Sequence, residues 1–136
     1  MMVTIHKISL AIVAVFCIFA LYGGCVEHID SGFPKAIYFN SEGGEQVFIG
    51  RSSFYHYEIT DTDNNTLDYN KEIDGYEVVE YDWLKVSLPK AIGLVKGDTL
   101  TVTAQPNTTN NKRKLKIYMV GIDSYDEILV VQDGVK

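Results

Sequence analysis

From Thr99 to Ala104 the chain alternates strictly: Leu100, Val102 and Ala104 are apolar, and Thr99, Thr101 and Thr103 separate them. A period of two sends alternate side chains to opposite sides of an extended strand, so the segment can bury one face and wet the other. Leu115, Ile117 and Met119 alternate in the same way with Lys114, Lys116 and Tyr118. Further strands are expected at 128–132, at Leu84, Val86 and Leu88, and at Tyr55, Tyr57 and Ile59. Residues 36–40 and 46–49 flank Gly43-Gly44 and read as a hairpin. Residues 76–81 add a strand that joins the Trp83 strand through a bulge at Asp82. Residues 90–96 are too short for a helix and contain Gly93, and nothing else beyond the leader repeats every 3.6 residues. Seven or eight short strands with regular turn signals predict an all-β chain folded as an antiparallel β-sandwich.

The alternation does not extend to the start. Lys7 is followed by a run from Ile8 to Tyr22 broken by one serine, then by Gly23, Gly24 and Cys25. A basic start, an apolar stretch and small residues at the exit form a signal peptide. The run is shorter than the roughly 20 residues that span a bilayer as a helix. Gly23-Gly24-Cys25 resembles the lipobox of bacterial lipoproteins, with Tyr22 where leucine is commoner. The resemblance implies cleavage before Cys25 and acylation of its sulfur. Cys17 would leave with the leader, and a chain with one remaining cysteine forms no internal disulfide. The expected organisation is a signal peptide at 1–24, a tether at 25–35 and one domain at 36–136.

Charge excludes one class of partner. Twelve basic residues face eighteen acidic ones, a net charge of −6. Such a chain repels phosphate backbones, so nucleic acid is excluded as a partner. Catalysis has little to build on. Beyond the leader there are two histidines, His28 and His56, and the serines near His56 lie in no nucleophile elbow. His56 reads as a solvated strand residue. No catalytic residue is assigned, no zinc spacing occurs, and no cofactor is implied.

Several short motifs point to one family. They are residues 39–45 (FNSEGGE), residues 82–87 (DWLKVS), residues 101–104 (TVTA) followed by Asn107, and residues 130–132 (VVQ) with Gly134. In this order they resemble a BACON domain, over residues 36–134. That family is an immunoglobulin-like module of Bacteroidetes surface proteins, associated by name with carbohydrate binding. The resemblance implies an immunoglobulin-like antiparallel sandwich on an exported outer-membrane lipoprotein, facing the cell surface or, alternatively, the periplasm. Its partners would be the membrane, through the lipid, and a glycan or surface protein. The implied role is a glycan-binding or adhesion accessory module, with a non-binding spacer or assembly subunit as the alternative. The chain departs from the family at Tyr57, where tryptophan is frequent, and in an insertion at 61–75.

The insertion holds Asp61, Asp63, Asn65 and Glu72 at positions 1, 3, 5 and 12 of a calcium-loop pattern. Thr66 stands where the sharp bend of such a loop needs glycine. The expectation is therefore a polar turn without metal. Sugar binding needs flat aromatic faces beside hydrogen-bonding groups. Tyr69 and Tyr76 bracket the insertion, Tyr118 alternates against inward residues and Tyr125 is expected in a turn, so these four are the candidate ligand-binding residues. Trp83 is expected to be buried. Asn64 and Asn107 open Asn-X-Thr triplets that read as polar turns, and residues 112–114 read as a solvated strand start.

Overall fold

The computed structural model describes residues 27–51, 54, 56–90, 99–121 and 123–136. The signal peptide, Cys25, Ser52, Ser53, Tyr55 and most of 90–96 lie outside the described residues. Eleven strands are present among those described: β1 (Glu27–His28), β2 (Ala36–Phe39), β3 (Gly44–Ile49), β4 (His56–Thr60), β5 (Thr66–Tyr69), β6 (Lys71–Ile73), β7 (Tyr76–Tyr81), β8 (Leu84–Pro89), β9 (Thr99–Ala104), β10 (Arg113–Val120) and β11 (Ser124–Gln132). Eight match the segments marked by alternation. The three additions, β1, β5 and β6, are short and mostly exposed, so no inward row of apolar residues announces them.

The strands form two sheets. The first runs β1-β11-β10-β4-β5 with β2 also on β11, and the second runs β3-β9-β8-β7-β6. The order β4-β10-β11 reproduces the C-F-G strands of an immunoglobulin sandwich, and β3-β9-β8 reproduces B-E-D. The alternating residues meet between the sheets. Ile59, Ile117, Met119, Ile128 and Val130 face inward from the first sheet, and Leu84, Val86, Leu100 and Val102 from the second; all are buried. Each such side chain contributes roughly 1.5–3 kcal/mol on burial.

Four expectations are corrected. The segments around Gly43-Gly44 do not form a hairpin: β2 pairs with β11 in one sheet and β3 with β9 in the other. The turn hands the chain between sheets. Gly43 has φ 74° and sits against the end of β9, where a Cβ would stand 2.2 Å from the Ala104 carbonyl oxygen. Pairing is not wholly antiparallel, because β1 and β2 both run parallel to β11. The tether is docked from Glu27 onward, with Ser31 and Phe33 buried. Finally, Asp82 forms no bulge. Asp82 and Trp83 make the tight turn between the paired ends Tyr81 and Leu84, with Asp82 at φ 51°.

The motif residues behind the family resemblance turn out to be structural. Trp83 is buried under the Arg113 guanidinium, 4.7 Å from its ring. Arg113, expected in a solvated cluster, donates from Nε to Gln132 Oε1 at 2.8 Å. Gln132 is fully buried and donates to the carbonyls of Asn40 and Gln105. Asn107 is buried too: it donates to the Asn111 and Asp133 carbonyls and accepts from Thr109 N and Oγ1. These bonds supply partners to loop backbone that no ladder reaches.

Candidate functional site

The outer face of the first sheet follows from its register. Glu58 on β4 pairs with Tyr118 on β10, and Tyr118 pairs with Glu127 on β11. Tyr69 on β5 pairs with Glu58 from the other side. One row across four strands therefore reads Tyr69, Glu58, Tyr118, Glu127. The next row toward the insertion reads Thr66, Thr60, Lys116, Leu129. All these residues point away from the core, because Ile59, Ile117 and Ile128 between them point in.

Two of the four candidate tyrosines come together. The Tyr118 and Tyr125 ring centroids lie 5.7 Å apart at 34°. Both are half-buried, and Tyr125 lies within β11 rather than in a turn. His28 on β1 packs edge-on against Tyr125 at 5.3 Å. Tyr69 shares the sheet but contacts His56, at 5.5 Å, and is half exposed. Tyr76 lies on β7 of the second sheet and takes no part in this face.

The insertion joins the site, although not as a calcium loop. It splits between the sheets: residues 61–65 close the β4–β5 hairpin, whereas Glu72 lies on β6 and pairs with Lys90 at 2.8 Å. Asp61 turns its carboxylate onto the loop, accepting from Asp63 N, Asn65 N and Asn65 Nδ2, each at 2.9 Å. The Asn65 bonds above all hold Asp61 below the usual carboxylate range. The left-handed residue is Asn64, at φ 66°, and not Thr66. Asn64 reaches β10, where its Oδ1 accepts from Lys116 Nζ at 3.2 Å.

A concavity of about 540 Å³ results, lined by Glu58, Thr60, Asn64, Tyr118, Tyr125 and Glu127. Its size falls in the range of small-ligand clefts, roughly 300–1,000 Å³. Glu58 is steadied by His56 Nε2 at 2.8 Å and by Thr66 Oγ1 at 3.1 Å. His56 is thus a half-buried partner and not a freely solvated residue. Burial, then Tyr125 and the two glutamates, raises the Tyr118 pKa, so its hydroxyl remains a donor at neutral pH. Glu127 also borders a smaller cleft of about 170 Å³ lined by His28, Lys35 and Asp126.

Four lining residues were not singled out as ligand-binding from the sequence, Glu58, Thr60, Asn64 and Glu127, and neither was the supporting His56. Glu58 and Glu127 carried one usable signal, since both stand at outward positions of alternating strands. Nothing in the sequence pairs either with Tyr118. Among the described residues, no three histidine, cysteine, aspartate or glutamate side chains gather around a metal position.

No family model matches the chain, and neither does any curated protein. A solved structure does resemble it, the NMR structure of a protein from Bacteroides thetaiotaomicron. That likeness covers 85% of this chain and 94% of the other, with a TM-score of 0.52 at 18% identity. At that identity it speaks for the shared fold.

Proposed function

We propose that this chain is an exported lipoprotein, acylated on Cys25, whose single BACON-like sandwich binds a glycan through the outer face of the first sheet. The observation that carries the reading is the concavity at Tyr118 and Tyr125. It combines aromatic surface with Glu58, Glu127 and Asn64 in one hollow, as sugar recognition requires. The motif before Cys25 supports export and lipid anchoring, and the resemblance to surface-protein modules favours the outer membrane with the domain at the cell surface. Binding is favoured over triad-type catalysis because, among the described residues of the face, no hydroxyl or thiol is bonded to a histidine.

A glycan array probed with the protein, followed by titration of the best hit, tests binding. Tyr118→Ala and Tyr125→Ala should each weaken it at least tenfold. Unchanged affinity in both variants would move the site elsewhere. Metabolic labelling with a fatty acid tests the anchor: Cys25→Ala should lose the label, and equal labelling would refute acylation there.

A second reading, an assembly subunit, draws on the second sheet. Its edge strand β3 exposes Val47 and Ile49, the latter 72% accessible, and its outer face carries Ile73 and Tyr76. An unpaired apolar edge is a template for another strand. Light scattering discriminates: a monomer at high micromolar concentration removes self-assembly.

A further inference from the structure

The face described above carries two carboxylates, and one of its groups lacks a partner. Thr60 forms part of the cavity wall and is only 4% accessible. Its hydroxyl is buried without a hydrogen-bond partner. Among the described residues it is the one buried side-chain polar atom in that state. A hydroxyl removed from water with nothing to bond destabilises a fold, whereas valine would fill the same strand position with the same shape. Its neighbours are already engaged. Lys116 binds Asn64, Thr66 binds Glu58, and Asp61 is closed onto its own loop. The hydroxyl therefore has no partner within the chain, at a residue that lines the cavity.

The surrounding charge says what kind of group. Glu58 and Glu127 flank Tyr118 on adjacent strands, each a cross-strand neighbour of its ring. Carboxylates accept hydrogen bonds and donate none, so they suit hydroxyl groups and repel other anions. Lys116 Nζ donates to Asn64 Oδ1 and lies 3.8 Å from Glu127, so its single positive charge stands against two carboxylates. The Tyr118 hydroxyl and Asn64 amide add donors that a saccharide oxygen can use.

Resting on the glycan-binding reading, we infer that this cavity selects an uncharged, hydroxyl-rich saccharide, bonding its hydroxyls to Glu58 and Glu127 and seating one polar group on Thr60. Saccharides bearing carboxylate or sulfate are excluded by the same pair of glutamates.

The test uses the full chain in a detergent without sugar headgroups. Neutral hexose and N-acetylhexosamine disaccharides are titrated beside matched uronate-containing disaccharides, with Kd and backbone amide shifts read out. Neutral sugars should bind and perturb the Thr60, Asn64 and Tyr118 amides, with the uronates at least tenfold weaker. Thr60→Val should weaken neutral-sugar binding about tenfold while leaving the melting temperature unchanged or higher. A purely structural threonine would show neither separation. Glu127→Gln should narrow the gap between neutral and acidic sugars. Equal or tighter binding of the uronates, or full affinity in Thr60→Val, overturns the inference while leaving glycan binding in place. Failure of every sugar to bind removes the glycan reading and this inference with it.

Discussion

Asp126 offers a sharp test of how the amino-terminal segment is held. The residue sits on β11 with its side chain almost wholly buried. One carboxylate oxygen accepts from Ser31 N at 3.1 Å and, by a very short bond, from Ser31 Oγ. The other accepts from Glu127 N at 2.8 Å and contacts His28 Nε2 at 3.2 Å. Asp126→Ala strands two donors of a fully buried serine and one partly buried amide. At about 1–3 kcal/mol for each stranded donor, with the Glu127 amide counted lightly because water reaches it, the cost should be about 3–5 kcal/mol. Against a total stability of roughly 5–15 kcal/mol that is a large fraction. It corresponds to a fall of about 4 °C in melting temperature per kcal/mol for a domain of this size. Denaturant unfolding measures the loss. Native-state hydrogen exchange locates it: the Ser31 amide should exchange much faster, while Ile117 in β10 falls only with global stability. The double variant Asp126→Ala, Ser31→Ala should recover part of the loss, because it removes a stranded hydroxyl. A cost below about 1 kcal/mol with Ser31 still protected would refute the view that this carboxylate docks the segment.

Other outcomes follow from the core and the insertion. Ile117→Ala, in the centre of β10 and fully buried, should lose about 2–5 kcal/mol by denaturant titration; a change well under 1 kcal/mol would mean the strand faces are reversed. Burial, aided by the negative charge of Glu77, pushes the Tyr57 hydroxyl up to about 12 from 10.0. Its neutral form is therefore favoured in the folded state, and the stability present below pH 10 is lost as pH rises toward 12, by roughly 2–3 kcal/mol. The Tyr57→Phe variant should lack that share of the alkaline loss, so parallel pH profiles for the two proteins would count against it. Calcium raised to millimolar levels should leave the melting temperature unchanged; a saturable rise, abolished by Asp61→Ala, would restore the loop as a cation site.

Much of the architecture was legible in the sequence because alternation is a local signal. Leu100, Val102, Leu115, Ile117, Ile128 and Val130 stand at every second position, and each is buried where a strand's pleat sends it. The Asp74-Gly75 pair, with φ of 52° and 80°, makes the two-residue turn between β6 and β7, a local signal that the sequence analysis left unused. Alternation, however, names faces and not neighbours. Whether the strands around Gly43-Gly44 pair with each other depends on what lies across from them, and β9 and β11 arrive about fifty residues or more later in the chain.

The candidate site shows the same division. Tyr118 and Tyr125 were visible as outward or turn aromatics, but their contact depends on the antiparallel register of β10 with β11. The calcium-like spacing of Asp61 and Glu72 dissolves because the chain changes sheets between β5 and β6, which separates acids that are near in sequence. Asn64, Thr60, Glu58 and Glu127 become neighbours only when β4, β10 and β11 align, because side chains of like outward parity meet across strands rather than along them. The sequence by itself determined which residues form strands and which face of each turns inward, since both follow from the period of the chain. Tertiary structure alone decided strand partners, register and the hollow on the first sheet, since those depend on contacts between distant segments that no local pattern encodes.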